Sequence, residues 1–314
     1  MASTNELHVV LGASGGLGKA VVRELAAQGK RVRAANRSGR AEAPPGVETA
    51  ACDAANPEQV REVCRGARVV YHCVNVPYPQ WFALLPPITE AIIAGAAAAG
   101  AKLVVGDNLY MYGPASVPLR EDLPNNAVSR KGRLRAELAN KLLEAHRQGK
   151  VRAAIGRGSD FYGPGVLNAV AGERLFAAAL QNKTVNLIGD LDQPHTYTFI
   201  NDFAKGMLTL AEREEALGEV WHLPNAETLT TRQFAELVFQ QTGTRPAVRG
   251  AGRGLVALLG LFNPILRELK EELYQFQQPF IVDHGKYARV FGTQITPHEE
   301  AIRQTLEWFR GRGE

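Results

Sequence analysis

The strongest constraint on the fold is a short apolar run that leads directly into three spaced glycines. Residues 7–11 read Leu-His-Val-Val-Leu, and Gly12, Gly15 and Gly18 follow at three-residue intervals. The first glycine lets the chain turn out of a strand, the second lets main-chain N–H groups approach a pyrophosphate, and the third lets the next helix pack closely. With 31 glycines in 314 residues the spacing alone is a weak signal. Its position between a strand and an Ala/Leu/Val-rich helix makes it specific for a dinucleotide site.

The segment after the first strand is therefore the predicted phosphate-binding loop. The helix expected at about 15–28 directs its N-terminus, with unpaired donors and partial positive charge, towards the phosphates. The alternative is a turn that binds nothing. The residues predicted to contact the cofactor here are Gly12, Ser14, Gly15, Gly16, Leu17 and Gly18.

The end of the second predicted strand, at 31–36, indicates which nicotinamide cofactor is used. An acidic residue at this point binds the ribose 2′-hydroxyl of NAD, whereas an arginine accommodates the 2′-phosphate of NADP. The chain has Asn36, Arg37 and Ser38 there, and no acid. Arg37 can pair with a phosphate bidentately. The sequence thus favours NADPH over NADH, although an arginine in such a loop is also commonly just solvated.

Strands and helices alternate along the chain, which predicts an α/β fold: a Rossmann-type doubly wound parallel sheet with a small, mostly helical C-terminal substrate region. The expected domains are 1–165 plus about 190–225 for the dinucleotide and 166–189 plus 226–314 for the substrate. The apolar segment 255–262 is predicted to be core, with an interaction surface as the alternative. Further strands are expected at 47–52, 69–73, 102–106, 151–156, 196–200 and 219–223, and helices at 57–65, 81–100 and 129–148.

Composition excludes several classes of protein. The net charge is only +4 and no basic arm or aromatic stripe indicates nucleic acid. The apolar runs are too short or interrupted to span a bilayer, and no histidine spacing suggests a metal. Three cysteines without a C-x-x-C pattern favour a reduced, cytoplasmic setting. The expected partner is a small-molecule substrate, and a homodimer is left open.

The later motifs resemble those of the extended short-chain dehydrogenase/reductases, the epimerase/dehydratase-like group. The resemblance runs from the glycine loop through Asp53-Ala54 to Tyr112-Gly113-Pro114, and on through 161–165 and 196–204. It implies that Asp53 and Ala54 hold the adenine. It also implies that Cys73, Val74 and Asn75 run along the nicotinamide half of the cofactor, and that the turn at 161–165 borders the substrate.

The chain departs from that family where the chemistry is expected. Relatives carry a tyrosine, followed four residues later by a lysine, at the start of the long helix after the fifth strand. Aligning the pattern places Lys131 at the tyrosine and Arg135 at the lysine. The resemblance therefore gives Arg135 the lysine's role of holding the nicotinamide ribose. It provides no tyrosine to donate the proton.

Three residues near the carboxyl ends of the strands are candidates to replace the missing tyrosine: Asn108, Tyr110 and Lys131. Charge grows on a substrate oxygen during reduction, so a donor or cation must face it. Tyr110 is otherwise a packed aromatic. Lys131 belongs to a run of cations at 130–135 that opposes the helix dipole unless an anion lies against it. The alternative for this run is a solvated helix face.

Candidate substrate residues are aromatic. Tyr78 and Trp81 follow the fourth strand, and Phe161 and Tyr162 follow the sixth; together they predict a fairly apolar pocket. Relatives acting on nucleotide sugars carry an arginine near the position of His195, which puts such a substrate in doubt. His195 itself is either a pocket residue or a hydrogen-bonded structural histidine.

Three functions are compatible with the sequence. The first is an NADPH-dependent carbonyl reductase or alcohol dehydrogenase acting on a small metabolite. The second is an epimerase, isomerase or dehydratase that uses the cofactor transiently. The third is a non-catalytic NADPH-binding sensor, because the fold alone does not determine the reaction.

Overall fold

The computed structural model describes residues 6–115, 118–251, 268 and 270–312. Unit 1 comprises Met1–Asn108, Leu134–Arg157 and Phe203–Leu223, and unit 2 comprises Leu109–Arg133, Gly158–Asp202 and Pro224–Glu314. The chain therefore passes from one unit to the other five times.

The elements are numbered in chain order. The strands are β1 Leu7–Leu11, β2 Arg31–Asn36, β3 Glu48–Ala51, β4 Ala67–His72, β5 Lys102–Asp107, β6 Arg152–Arg157, β7 Asp160–Tyr162, β8 Val185–Ile188, β9 Pro194–His195, β10 Tyr197–Phe199, β11 Val220–His222, β12 Leu229–Thr230 and β13 Val248–Ala251. The α-helices are α1 Gly16–Ala27, α2 Pro57–Cys64, α3 Trp81–Ala98, α4 Arg130–Arg147, α5 Glu173–Leu180, α6 Ile200–Glu212, α7 Thr231–Thr242, α8 Gly285–Phe291 and α9 His298–Arg310.

Unit 1 is built on a seven-stranded parallel sheet in the order β11-β6-β5-β4-β1-β2-β3. The order reverses between β1 and β4, as in doubly wound folds that bind ligands at the carboxyl ends of the strands. The inner strands are almost wholly buried: all five residues of β1 are, as a sheet covered on both faces requires. The predicted Rossmann-type fold class is confirmed.

Helix α3 keeps Pro86 and Pro87 inside its 18 residues. The stretch Tyr78–Ala98 is long and apolar enough to cross a membrane by length and composition, with a mean hydropathy of 1.4. Core helices share these properties, and α3 packs on α2 so closely that a Cβ on Gly95 would come within 2.7 Å of a Val60 methyl group. Ile88 and Ile92 lie in the same hydrophobic core as Val60.

In the described part of unit 2, helices α5, α7 and α9 pack on one another, and the strands form three pairs: β7 with β10, β8 with β13, and β9 with β12. Its core holds Phe176, Phe234 and Phe239. Helix α7 begins with a capping box, in which the Thr230 side chain accepts from the Gln233 N–H and the Gln233 side chain accepts from the Thr230 N–H.

The predicted elements agree with the structure to within a few residues, and β2 has the predicted bounds. The units divide the chain differently from the expected domains. Residues 109–133, 158–165 and 190–202 belong to unit 2, because β7, β9 and β10 form strand pairs there rather than joining the large sheet. The apolar segment at 255–262 lies outside the described residues.

Candidate functional site

The glycine loop of unit 1 leaves no room for side chains at its first and last glycines. Gly12 has a φ of +84°, and a Cβ there would lie 2.7 Å from the backbone of Cys73 and Val74. A Cβ on Gly18 would lie 2.2 Å from the Gly12 carbonyl oxygen. The loop is therefore pressed between the end of β4 and the start of α1, the close approach that a dinucleotide fold requires.

The loop also leaves the start of α1 available to a ligand. Gly12 and Ala13 both donate their N–H groups to the Ala35 carbonyl, at 3.0 and 3.1 Å, which ties the loop to β2. The N-cap residue of α1 is Gly15, so no side chain caps the helix, and its first turn contains no acid. A helix N-terminus with no side-chain cap and no acid in its first turn fits the pyrophosphate of a nicotinamide dinucleotide.

The turn after β2 exposes Arg37. Asn36 is buried, and its side-chain oxygen accepts from the Ser38 hydroxyl at 3.1 Å. The backbone oxygen of Asn36 accepts from Cys52 at 2.8 Å, which joins the ends of β2 and β3. Arg37 is exposed, and its side chain makes no hydrogen bond or ion pair with another described residue. Its guanidinium is free to pair with a ligand anion.

Asp53 and Ala54 follow β3 in a compact turn. One Asp53 carboxylate oxygen accepts from the Ala55 N–H at 3.0 Å, and the Asp53 N–H donates to the Gln59 side chain at 2.8 Å. Asp53 is exposed whereas Ala54 is buried. The fixed, exposed carboxylate is suited to accept hydrogen bonds from an adenine amino group.

Arg135 lies beside the segment that follows β4. Its guanidinium carbon is 4.3 Å from the centre of the Trp81 ring. Its two Nη atoms face the Asp107 carboxylate at 3.5 Å and the Asn75 side-chain oxygen at 3.4 Å. Within unit 1 the structure thus brings together Asn75 and Arg135, which were predicted to bind the cofactor, and Trp81, which was predicted to bind the substrate.

Asp107 joins the site although no sequence motif indicates it. Its carboxylate is buried and accepts from Arg135 through one oxygen and from Arg157 Nε, at 3.2 Å, through the other. Arg157 is buried as well. Nearby, burial and then the charge of Arg135 lower the pKa of His72 to about 3, so His72 is neutral at pH 7. A small cavity of about 30 Å³ is lined by His72, Asp107 and Arg135 among others.

Tyr110 and Lys131 both belong to unit 2, where the backbones of their two segments lie close together. The backbone of Tyr110, in the short helix Tyr110–Tyr112, approaches the start of α4 so closely that a Cβ on Gly132 would lie 2.5 Å from the Tyr110 carbonyl oxygen. Tyr110 is half-buried, as is Asn108, which belongs to unit 1. Lys131 is fully buried. A solvated helix face is therefore wrong for Lys131, although Arg130 and Arg133 are exposed.

The anion beside the start of α4 comes from the chain itself. Lys131 Nζ forms an ion pair with the Glu268 carboxylate and donates to the Glu268 carbonyl oxygen at 3.0 Å. The Glu271 carboxylate accepts from the Arg130 N–H at 2.9 Å. Burial raises the pKa of Glu272, which Ser129 and Lys131 partly offset. Glu268 and Glu271 thus supply negative charge beside the cations at the start of α4.

The predicted substrate residues occupy three environments. Tyr78 and Phe161 are half-buried, and Tyr78 packs on Trp81 with ring centres 5.0 Å apart. Trp81 is buried, and its indole N–H donates to the Val76 carbonyl at 2.8 Å. Tyr162 is a core residue of unit 2, with its hydroxyl 2.9 Å from His298 Nδ1.

His195 is buried in unit 2 with both ring nitrogens hydrogen bonded. Nε2 lies 2.7 Å from the Asp160 carboxylate and Nδ1 lies 3.1 Å from the Gln275 carbonyl. Its ring stacks on Phe276 and Phe280. These contacts favour the structural alternative for this histidine.

The part of the chain that the structure describes contains no cluster of three or more histidine, cysteine or acidic side chains that could hold a metal ion. The three cysteines are free and buried. Burial is the main cause that raises the pKa of Cys52 to about 11 and that of Cys64 to about 12, and it raises the pKa of Cys73 further. None of them is a reactive thiolate at neutral pH.

Comparison with solved structures gives full-length matches at low identity. Epimerase Mth375 from Methanothermobacter thermautotrophicus has a TM-score of 0.82 at 17% identity, covering 99% of this chain and 94% of that one. A double mutant of DesIV, a dTDP-glucose 4,6-dehydratase from Streptomyces venezuelae solved with NAD, has a TM-score of 0.79 at 19% identity, covering 98% of both chains. MoeE5 in complex with UDP-glucose and NAD has a TM-score of 0.76 at 20% identity, covering 98% of this chain and 99% of that one.

These identities establish the fold but not the substrate. A search among curated protein sequences gives no significant match. The profile of the NAD dependent epimerase/dehydratase family matches residues 8–223, which include the glycine loop, Asp53 and the start of α4. The chain therefore belongs to the NAD-dependent epimerase/dehydratase family.

Proposed function

We propose that the chain binds NADP(H) in preference to NAD(H). The observation that carries this proposal is Arg37, which is exposed at the end of β2 without a side-chain partner among the described residues. No acidic residue stands at 36–38 to repel a 2′-phosphate. A guanidinium at this point supplies two parallel hydrogen bonds to that phosphate.

An Arg37→Asp variant tests the cofactor. The substitution removes a phosphate partner and adds a repelling charge, so the Kd for NADPH rises well over tenfold while the Kd for NADH changes less. Calorimetric titration of both cofactors measures the two constants. Arg61→Asp, at an exposed position of α2, is the matched control for the charge change. Unchanged binding of both cofactors to the Arg37 variant contradicts the proposal.

The proposed reaction is reduction of a small, fairly apolar carbonyl compound, or oxidation of the corresponding alcohol, in the cytoplasm. The bound nicotinamide supplies or accepts the hydride. Arg135 holds the nicotinamide ribose in place of the family's lysine, and Asn75 lies at the same point. Lys131 and Tyr110 are the candidate proton donors, since the chain has no tyrosine at position 131. Tyr78 and Phe161 are half-buried aromatics suited to an apolar substrate.

A second candidate is an epimerase or dehydratase that regenerates its cofactor in each cycle. The names of the structural neighbours support it, since they include an epimerase and a dTDP-glucose dehydratase. A third, a binding protein without turnover, is supported by the burial of Lys131 against Glu268.

One assay separates the three functions. The protein is incubated with NADPH or NADP⁺ and panels of carbonyl compounds, alcohols and nucleotide sugars, while absorbance at the reduced-cofactor band and product formation are both followed. Net cofactor consumption supports the reductase. Product without a net absorbance change supports the epimerase or dehydratase, and cofactor binding without any product supports the binding protein.

A further inference from the structure

Arg135 is held on several sides by residues of unit 1. Its side chain is only 13% exposed, and within the described residues Asp107 is the one carboxylate within ion-pair distance. The guanidinium lies over the Trp81 ring, and Asn75 faces one Nη. Arg135 Nε is buried and has no hydrogen-bond partner. The guanidinium is therefore fixed in place while part of its hydrogen-bonding capacity remains unused.

Trp81 is itself fixed. The side chain is 1% exposed, and the indole N–H is committed to the Val76 carbonyl at 2.8 Å. Tyr78 packs against it. The buried ring therefore presents an aromatic face to Arg135. A cation–π interaction with tryptophan is strongest where water is excluded.

Asp107 fixes the guanidinium from the strand side. One oxygen faces Arg135 and the other accepts from Arg157, so a single carboxylate is shared by two guanidinium groups. His72, which lines the same cavity as Asp107 and Arg135, is neutral because its pKa is about 3. These four side chains therefore carry a net charge of +1 when Asp107 is ionised.

We propose that Trp81 and Asp107 are positioning residues that hold Arg135 for the nicotinamide half of the cofactor. The proposal rests on the NADP(H) function and deepens it. The sequence predicted that Trp81 lines the substrate pocket. In this proposal Trp81 instead positions Arg135 for the cofactor. The proposal also gives Asp107 an electrostatic role, because the oxidised nicotinamide is cationic and the reduced one is neutral. The carboxylate limits the positive charge that the oxidised cofactor meets.

A truncated cofactor distinguishes the positioning of Arg135 from the proposed NADP(H) binding itself. 2′,5′-ADP carries the adenine half, which Arg37 is proposed to bind, and lacks the nicotinamide ribose. We expect Trp81→Leu to raise the Kd for NADPH about tenfold, a loss equivalent to a partly desolvated cation–π contact. The Kd for 2′,5′-ADP stays within about twofold of wild type, because the guanidinium acts only on the other half.

Trp221→Leu is the matched control. Trp221 is also a buried tryptophan of unit 1, and its indole N–H donates to the Ala216 carbonyl at 3.0 Å. Both ligands should keep their wild-type Kd in this variant. Trp81→Phe keeps an aromatic face and should recover most of the NADPH affinity, which also covers the case in which Trp81→Leu folds poorly.

A double-mutant cycle and a charge variant complete the test. If Trp81 acts through Arg135, the Trp81→Leu/Arg135→Leu pair weakens NADPH no more than Arg135→Leu alone. Asp107→Asn should raise the ratio of the Kd for NADP⁺ to that for NADPH severalfold, which a purely structural residue would not do. Additive losses, or equal losses for 2′,5′-ADP and NADPH, overturn the positioning role. Failure of 2′,5′-ADP and NADPH to bind the wild type overturns the proposed function itself.

Discussion

The glycine loop of unit 1 and the start of α4 are the two regions where the family's chemistry is expected, and they are built in opposite ways. In the loop, the conformation depends on the absence of side chains: Gly12 and Gly18 leave the space that neighbouring backbone occupies. At the start of α4, Lys131 is buried and paired with Glu268, 137 residues away in the sequence. The first region is specified by close backbone contacts and the second by an ion pair between residues far apart in the sequence.

The largest expected effect is at Gly18. A Gly18→Ala substitution places a methyl group 2.2 Å from the Gly12 carbonyl oxygen, so the loop must move. We expect NADPH binding to be lost, and the free energy of unfolding to fall by about 3 kcal/mol. Gly29→Ala is the control, because Gly29 has a positive φ of 67° but no atom within 4 Å of its Cβ position. It should cost about 1 kcal/mol, with cofactor affinity intact. Equal effects of the two variants on binding would contradict the steric account of the loop.

Lys131→Met tests the other region. A proton donor contributes about 100-fold or more to turnover, so the rate with NADPH and an active carbonyl should fall by at least that factor. Because Glu268 stays partly exposed, loss of the pair should lower the free energy of unfolding by only about 1–3 kcal/mol. Steady-state kinetics and denaturant unfolding measure the two effects. A stability loss with an unchanged rate would make Lys131 a structural residue and leave Tyr110 as the candidate donor.

The pH dependence of stability tests the lowered pKa of His72, which is buried at the end of β4. His72 has a pKa of about 3 in the folded chain and about 6.5 when unfolded. The unfolded chain therefore binds the proton first, so this contribution is complete above about pH 6.5 and is lost as the pH falls towards about 3. Between pH 7 and pH 5, His72 alone lowers the free energy of unfolding by about 2 kcal/mol.

His72→Asn keeps an acceptor for the Val74 N–H, which now bonds to His72 Nδ1 at 3.2 Å. Between pH 7 and pH 5, the free energy of unfolding of this variant should fall by about 2 kcal/mol less than that of the wild type. The buried His8, whose pKa is lowered to about 4 mainly by burial, contributes to both proteins and cancels in the comparison. Parallel pH curves for the two proteins would mean that His72 has the same pKa in the folded and the unfolded chain.

The smallest effect is expected at Arg133, two residues after Lys131. Arg133 is exposed and donates to the Val128 carbonyl at 3.1 Å. Arg133→Gln should change the free energy of unfolding by less than about 0.5 kcal/mol and leave turnover unchanged. A large effect would mean that the charge of the whole helix start matters, and not only the buried pair.

The sequence predicted the sheet well because its signals are local. Strand β2 begins and ends as expected, and the helix expected at 129–148 is observed as Arg130–Arg147. The glycine loop follows from the glycine spacing together with its position between an apolar strand and a helix. By contrast, no local pattern indicates that Glu268 neutralises Lys131, since the pairing depends on the tertiary fold. No sequence pattern indicates Asp107 either, because its role depends on hydrogen bonds from Arg135 and Arg157, which are distant in the sequence.

The order in which the sheet is assembled has a consequence for biosynthesis. The edge strand β11, Val220–His222, pairs with β6 and is preceded by a long excursion into unit 2. A nascent chain that has exposed β1 to β6 still has an open edge at β6. That edge offers unpaired N–H and C=O groups to any other extended segment until residue 222 has left the ribosome. The interval between β6 and β11 is therefore a stage of synthesis at which the large sheet keeps an unpaired edge.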